Sequence, residues 1–198
     1  MSEALEILTV GHSNHPIERF LELLRRNRVT AVADVRSSPF SRYNPQFNKE
    51  TLQQALKDAG IAYIFLGKEL GGRSPDKGCY EDGRIQYDRV ARTDTFREGI
   101  ERVRKGAAQY RIALMCAEKE PLDCHRTLLV ARALDKAGER VGHIHADGHV
   151  EPHAEAMQRL LELVGLPRED MFRSGEELEE EAVKGQAGKV AYVDEGQT

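Results

Sequence analysis

Residues 112–130 read Ile112-Ala-Leu-Met-Cys116-Ala-Glu-Lys-Glu-Pro-Leu-Asp-Cys124-His-Arg-Thr-Leu-Leu-Val130. The first five form an unbroken apolar run of strand length, which suits a strand covered on both faces of a parallel sheet. A polar loop follows. Asp123 then reads as an N-cap, so the spacing predicts a helix with Cys124, His125 and Arg126 in its first turn. A strand, a loop and a returning helix make the repeating unit of an α/β fold.

Working outward, residues 5–10, 29–35 and 61–66 upstream and 140–144 downstream are further strand candidates. Between them lie helical patterns. Pro16 suits the first position of a helix carrying Ile17, Phe20, Leu21 and Leu24. Asn48 reads as the cap of a helix with Leu52, Ala55, Leu56 and Ala59, stopped by Gly60, and Asp94 as the cap of one with Phe96, Ile100 and Val103. Pro152 opens a helix with Met157, Leu160, Leu161 and Val164, which Gly165 ends. Residues 67–82 read as a long polar, glycine-rich loop, a type that is usually functional. The alternation predicts a three-layer α/β fold: a mostly parallel central sheet of about five strands with helices on both faces. Residues 1–173 form that single domain. Residues 174–198 read as an acidic C-terminal tail, helical at 176–183 and extended at 189–193.

Lys plus Arg is 29 and Asp plus Glu is 33, a net charge of −4. The tail holds seven acids and two bases, which leaves the body at about +1. The amino terminus lacks the basic segment and apolar run of a signal peptide, and no apolar run approaches the ~20 residues of a membrane helix. Three cysteines, an odd number, do not suit a secreted disulfide scaffold. A cytoplasmic protein with reduced thiols is expected, with no membrane partner and with homo-oligomerisation left open.

Ligands of open α/β sheets bind outside the carboxyl ends of the strands. The polar residues there include His12 and Ser13 after the first strand, and Arg36, Ser37, Ser38, Arg42 and Asn44 after the second. Lys68 and Arg73 follow the third strand, and Cys116, Glu118, Cys124, His125 and Arg126 end or follow the fourth. A thiol in the first turn of a helix, beside cations, ionises readily. Cys124 is therefore the candidate nucleophile or redox thiol. His125 or His12 is the proton carrier, and Glu118 the orienting or general-acid carboxylate. Ser13, Arg36, Arg42, Asn44, Lys68, Arg73, Cys116 and Arg126 are the candidate ligand-binding residues, the guanidiniums matching a small anion. Cys116 reads equally well as a small buried hydrophobe.

Other patterns carry less. His143, His145, His149 and His153 match no named zinc signature, so no metal ligand is assigned. Arginines between 84 and 104 interleave with acids, as on a solvated helix face. The Cys-x5-Arg loop of cysteine-dependent phosphatases is absent, as are a Walker loop and a Gly-x-Gly-x-x-Gly after the first strand. No cofactor is named by any motif.

Several stretches in order resemble the domain-of-unknown-function 488 family. They are Thr9-Val-Gly-His-Ser-Asn14, Asp34-Val-Arg-Ser-Ser-Pro-Phe-Ser-Arg-Tyr-Asn-Pro-Gln-Phe47, Leu66-Gly-Lys-Glu-Leu-Gly-Gly-Arg73, Cys116-Ala-Glu, Cys124-His-Arg126 and His143-Ile. The resemblance spans roughly residues 7–146, and Gln186-Ala-Gly-Lys-Val-Ala-Tyr192 is also familial. It implies an α/β fold that gathers these loops into one site, and it implies no activity. Two readings follow. One is a cleft at the strand ends that binds an anionic, phosphate- or nucleotide-like ligand and performs a Cys/His-based reaction on it. The other is a non-catalytic module that binds a nucleotide or nucleic acid, or senses metal or redox state.

Overall fold

The computed structural model describes residues 7–194. Its central sheet has six strands: β1 Ile7–Gly11, β2 Ala31–Asp34, β3 Ala62–Phe65, β6 Ile112–Cys116, β7 Val141–Ile144 and β8 Val150–Pro152, in the order β3-β2-β6-β1-β7-β8. The first five run parallel, and β8 is antiparallel to β7. Of the residues expected in the first strand, Leu5 and Glu6 lie outside the described residues.

The sheet alternates as its pleat demands. Ile112, Leu114 and Cys116 face one apolar layer, and Ala113 and Met115 face the other. The second layer is covered by α1 Ile17–Arg26 and α2 Lys49–Asp58, through Phe20, Leu24, Leu52 and Leu56. The first is covered by α5 Asp94–Ala107, by a helix running through Arg126–Ala131 into α6 Arg132–Lys136, and by α7 His153–Val164. Smaller pieces complete that side: α3 Gly67–Leu70, the hairpin of β4 Tyr80–Glu81 and β5 Arg84–Ile85, and α4 Tyr87–Ala91.

The mostly parallel α/β sheet is the one expected, with a short antiparallel strand added because Asp147-Gly148 turns the chain back on β7, with Gly148 at φ 92°. Several local expectations needed correction. Residues 67–82 are not one loop, since they contain α3, a short 3-10 turn and β4. Asn48 does not cap α2 with its side chain, because its Oδ1 accepts the Ser41 N–H at 2.7 Å. Thr93, not Asp94, caps α5, accepting the Phe96 N–H at 3.2 Å. Pro16 stands just before α1 rather than inside it.

The acidic segment forms α8 Gly175–Val190, longer than the expected 176–183. Ser174 and Glu177 close a reciprocal capping box at its start. Leu178, Ala182 and Val183 join the apolar layer beneath α7. Helix occupies positions 189 and 190, where strand was expected. Past it, among the described residues, only a bridge between Arg84 and Val193 is sheet-like.

A buried polar chain crosses the core. Thr9 Oγ1 lies 2.8 Å from His143 Nδ1, and His143 Nε2 lies 3.0 Å from His153 Nδ1. Burial, with Arg126, His145 and Arg159 nearby and the two rings facing each other, holds His143 well below the usual imidazole range. Burial lowers His153 too, against the pull of Asp135 and Glu151 and with help from Arg132. Both are therefore neutral when folded, while the unfolded chain takes up their protons below pH ~6.5. Their stabilisation is fully present above that pH and is lost as the pH falls. Between pH 7.5 and 5.5 we expect His143 to account for a loss of about 1.4 kcal/mol, with His153 adding to it in the same direction. Denaturant unfolding of the chain and of the His143→Gln/His153→Gln variant at both pH values checks this. An equal pH dependence in the two would refute it.

Candidate functional site

The connection leaving β2 runs toward β3, and the one leaving β6 runs the other way, toward β7. Adjacent strands whose connections part in this manner leave a crevice at their carboxyl ends. A cavity of about 310 Å³ lies there, walled by Arg36, Ser37 and Ser38 after β2 and by Cys116, Cys124 and His125 after β6.

The segment after β6 is shaped by Pro121, which starts a 3-10 turn through Asp123. The Glu120 carboxylate accepts the Leu122 N–H at 3.0 Å and caps that turn. The turn delays the helix by one residue. Cys124 is therefore not in the first turn behind an Asp123 cap, as expected, but extended at φ −137°, ψ 140°. Its carbonyl accepts the Thr127 and Leu128 N–H groups. Its Sγ accepts the Arg126 N–H at 3.4 Å, so the sulfur does what a capping oxygen does and faces the positive end of the helix. The helix itself is π-wound from Arg126 to Ala131, a form concentrated at functional sites.

Around Cys124 the polar contacts close. Its Sγ–H donates to Glu118 Oε2 at 2.9 Å. His125 Nδ1 stands 3.8 Å from both Cys124 Sγ and Cys116 Sγ. His125 Nε2 lies 3.0 Å from the Val35 carbonyl. A carbonyl only accepts, so Nε2 carries the proton and Nδ1 turns toward the two sulfurs.

Arg126 is fully buried, and no carboxylate pairs with it among the described residues. Nη1 donates to the Glu118 carbonyl at 2.8 Å and Nη2 to the Lys119 carbonyl at 3.4 Å, while Nε has no partner. A buried cation needs an opposite charge close by. Burial pushes the Cys124 thiol up, but the Cys116 thiol, Arg126 and His125 outweigh it and hold Cys124 well below the usual thiol range. The hydrogen bond with Cys124, and then burial, push Cys116 well above that range. Burial also opposes charge on His125, yet Cys124 and Glu118 raise its pKa. Burial and the neighbouring Cys124 raise Glu118. The two thiols are thus made unequal, with Cys124 the readier to ionise.

The other expected residues divide. Arg73 lines the cavity, its guanidinium 4.2 Å from the centre of the Tyr192 ring, and its main-chain N–H donates to Ser37 Oγ at 3.0 Å. Arg36 lines it too, but its charge is spent on Asp34 at 2.7 Å, with a further donor to the Phe47 carbonyl at 2.8 Å. His12 sits behind the wall. It stacks on Phe47, its Nδ1–H donates to the Ser13 carbonyl at 2.7 Å, and its Nε2 accepts from Arg36 at 3.3 Å. Burial first, then the charge of Arg36, bring its pKa down to about 4, so it is neutral. Ser13 and Asn44 are half-buried in turns, Arg42 and Lys68 are exposed, and none of the four walls the cavity. The four histidines from 143 to 153 do not converge on an ion: His145 bonds Glu151 and His149 bonds Asp147.

Tyr87, Val190 and Tyr192 are wall residues that escaped the sequence. Tyr87 is buried against the thiols in a stretch that reads as a charged helix face. Tyr192 comes from the acidic tail, where its carbonyl accepts the Ile85 N–H at 3.0 Å. The familial look of residues 186–192 is the one signal for it.

The family model described as Domain of unknown function DUF488 matches residues 16–133. No curated protein and no solved structure matches the chain.

Proposed function

The chain belongs to the DUF488 family, and because that description names no chemistry, we propose a function from the site alone: the cavity binds a small anion, and Cys124 attacks it as a thiolate. The observation that carries this reading is the pairing of Arg126 with Cys124. Among the described residues the fully buried Arg126 guanidinium has no carboxylate partner, and its charge favours ionisation of the sulfur that accepts the Arg126 main-chain N–H. An ionised Cys124 supplies the missing negative charge.

Arg73, with the Ser37 and Ser38 hydroxyls, holds the anionic group at the mouth. Arg36 and His12 support that wall rather than touch the ligand. At rest the Cys124 proton is held by Glu118, whose Oε2 lies 2.9 Å away, and in the first step the Cys124 thiolate bonds the electrophilic atom. The leaving group departs with the bonding electron pair and takes that proton back from Glu118. Water then displaces the sulfur, its oxygen bonding the transferred atom and its proton going to Glu118, which restores the thiolate beside the His125 imidazolium.

Alkylation of the reduced chain by iodoacetamide at neutral pH tests the reading. A free thiol is only a few per cent ionised there, so Cys124 should react roughly tenfold faster than free cysteine. Peptide mapping should place the label on Cys124. Inorganic phosphate should slow the reaction, and Arg73→Ala should abolish that protection. Reaction at the rate of free cysteine would overturn the nucleophile.

A further inference from the structure

We propose that Cys116, Cys124 and His125 form a binding site for a thiophilic divalent cation of the zinc class, with its fourth coordination position open to the cavity. The three donor atoms, both Sγ and His125 Nδ1, all lie within 4.8 Å of one another, and each sulfur is 3.8 Å from that nitrogen. Metal bonds of ~2.3 Å to sulfur and ~2.05 Å to nitrogen at a tetrahedral angle separate S from N by about 3.6 Å. The donors thus already stand near their liganded spacing.

Their surroundings are those of a ligand set. His125 Nε2 is fixed by the Val35 carbonyl at 3.0 Å, the outer hydrogen bond that orients a metal-binding imidazole and leaves the other nitrogen's lone pair free. Gly72 packs against the same ring so closely that a Cβ there would lie 3.0 Å from Cγ and Nδ1. Cys116 ends β6 and points into the same face as Leu114, which makes its position as rigid as the sheet. Two thiolates balance a divalent charge. The buried Arg126 then offsets Glu118, whose Oε2 touches Cys124 at 2.9 Å at the edge of the cluster. Three protein ligands with a fourth position facing solvent is the composition of reactive zinc sites rather than closed structural ones.

The proposal does not rest on the nucleophile reading. The two are alternative uses of Cys124, since a metal occupies the lone pair an electrophile would meet.

The test uses the full-length reduced chain, stripped with a chelator and titrated with zinc against a chromophoric competitor, then with cobalt(II). Stoichiometric uptake is expected, and cobalt should show intense visible bands of a tetrahedral ion and a sulfur-to-cobalt charge-transfer band. Cys116→Ser and Cys124→Ser should each weaken binding by more than the ~10–100-fold that loss of an outer partner costs. Cobalt bound to the wild-type chain without a sulfur band would overturn the site whatever the variants do. So would zinc affinity unchanged in both serine variants. Prior zinc loading should block iodoacetamide at Cys124. Rapid alkylation with no metal uptake defeats this proposal alone, and metal uptake with slow alkylation of the stripped chain defeats only the nucleophile reading.

Discussion

Replacing Arg126 by methionine is expected to remove about 3–5 kcal/mol of folding stability, a large part of the 5–15 kcal/mol typical of a domain. Methionine fills most of the space but donates nothing. The Glu118 and Lys119 carbonyls lose their donors, and the Cys124 sulfur loses its buried counter-charge. Removing one member of a buried charged group costs more than removing all of it, because the partners stay behind unsatisfied. Arg126→Lys keeps the charge but not the fork that reaches two carbonyls, so it should fall between. Denaturant unfolding gives the difference from the shift in midpoint at constant slope. Alkylation of Cys124 should slow several-fold in the methionine variant and far less in the lysine variant. A stability loss under about 1 kcal/mol would mean that the guanidinium is better solvated than its burial implies.

Gly11→Ala is expected to cost about 3 kcal/mol or more, although it adds one methyl group. Gly11 ends β1, paired with Cys116. Conformational freedom is not the reason for glycine there. A Cβ would lie 1.9 Å from the Glu118 carbonyl oxygen and 2.8 Å from its carbon. A flexible side chain could swing away, but a backbone carbonyl carries its loop with it. That carbonyl also receives Arg126 Nη1 at 2.8 Å. The two substitutions therefore act through one atom, and the double variant should lose at least about 0.5 kcal/mol less than the sum of the singles. Additive losses would show that the loop moves as independent parts.

Much of this site is legible in the amino-acid sequence. The apolar run 112–116 has both faces buried, and parallel strands bring the loops after β2, β3 and β6 to one edge whatever the details of packing. Arg73, Cys116, Cys124 and His125 meet for that reason. The failures have local causes. Asp123 reads as a helix cap, but Pro121 starts a tighter turn first and passes the capping place to Cys124. Arg36 reads as a ligand cation, but Asp34, two residues earlier on the same strand end, neutralises it. The strand β8 is three residues long and ends in proline, so only the Asp147-Gly148 turn announces it. The buried side of α8 has one leucine and one valine, with alanine and glutamine for the rest. Hence its amphipathic stripe is faint beside five glutamates. Gln186 there donates to the Leu122 carbonyl at 3.2 Å, a contact no periodicity could suggest.

The position of β6 also sets a timetable for biosynthesis. β6 lies between β1 and β2, so those two strands have no direct pairing. Thr9 finds its partners in Leu114 and His143, each more than a hundred residues downstream. A chain emerging from the ribosome can pair β2 with β3 early, while β1 waits as an unpaired apolar segment until β6 arrives. Closing such distant contacts is slow, and a strand left waiting invites association with other chains. The Tyr192 wall of the cavity is made later still. During synthesis the thiols are thus made well before the Tyr192 wall of their cavity arrives.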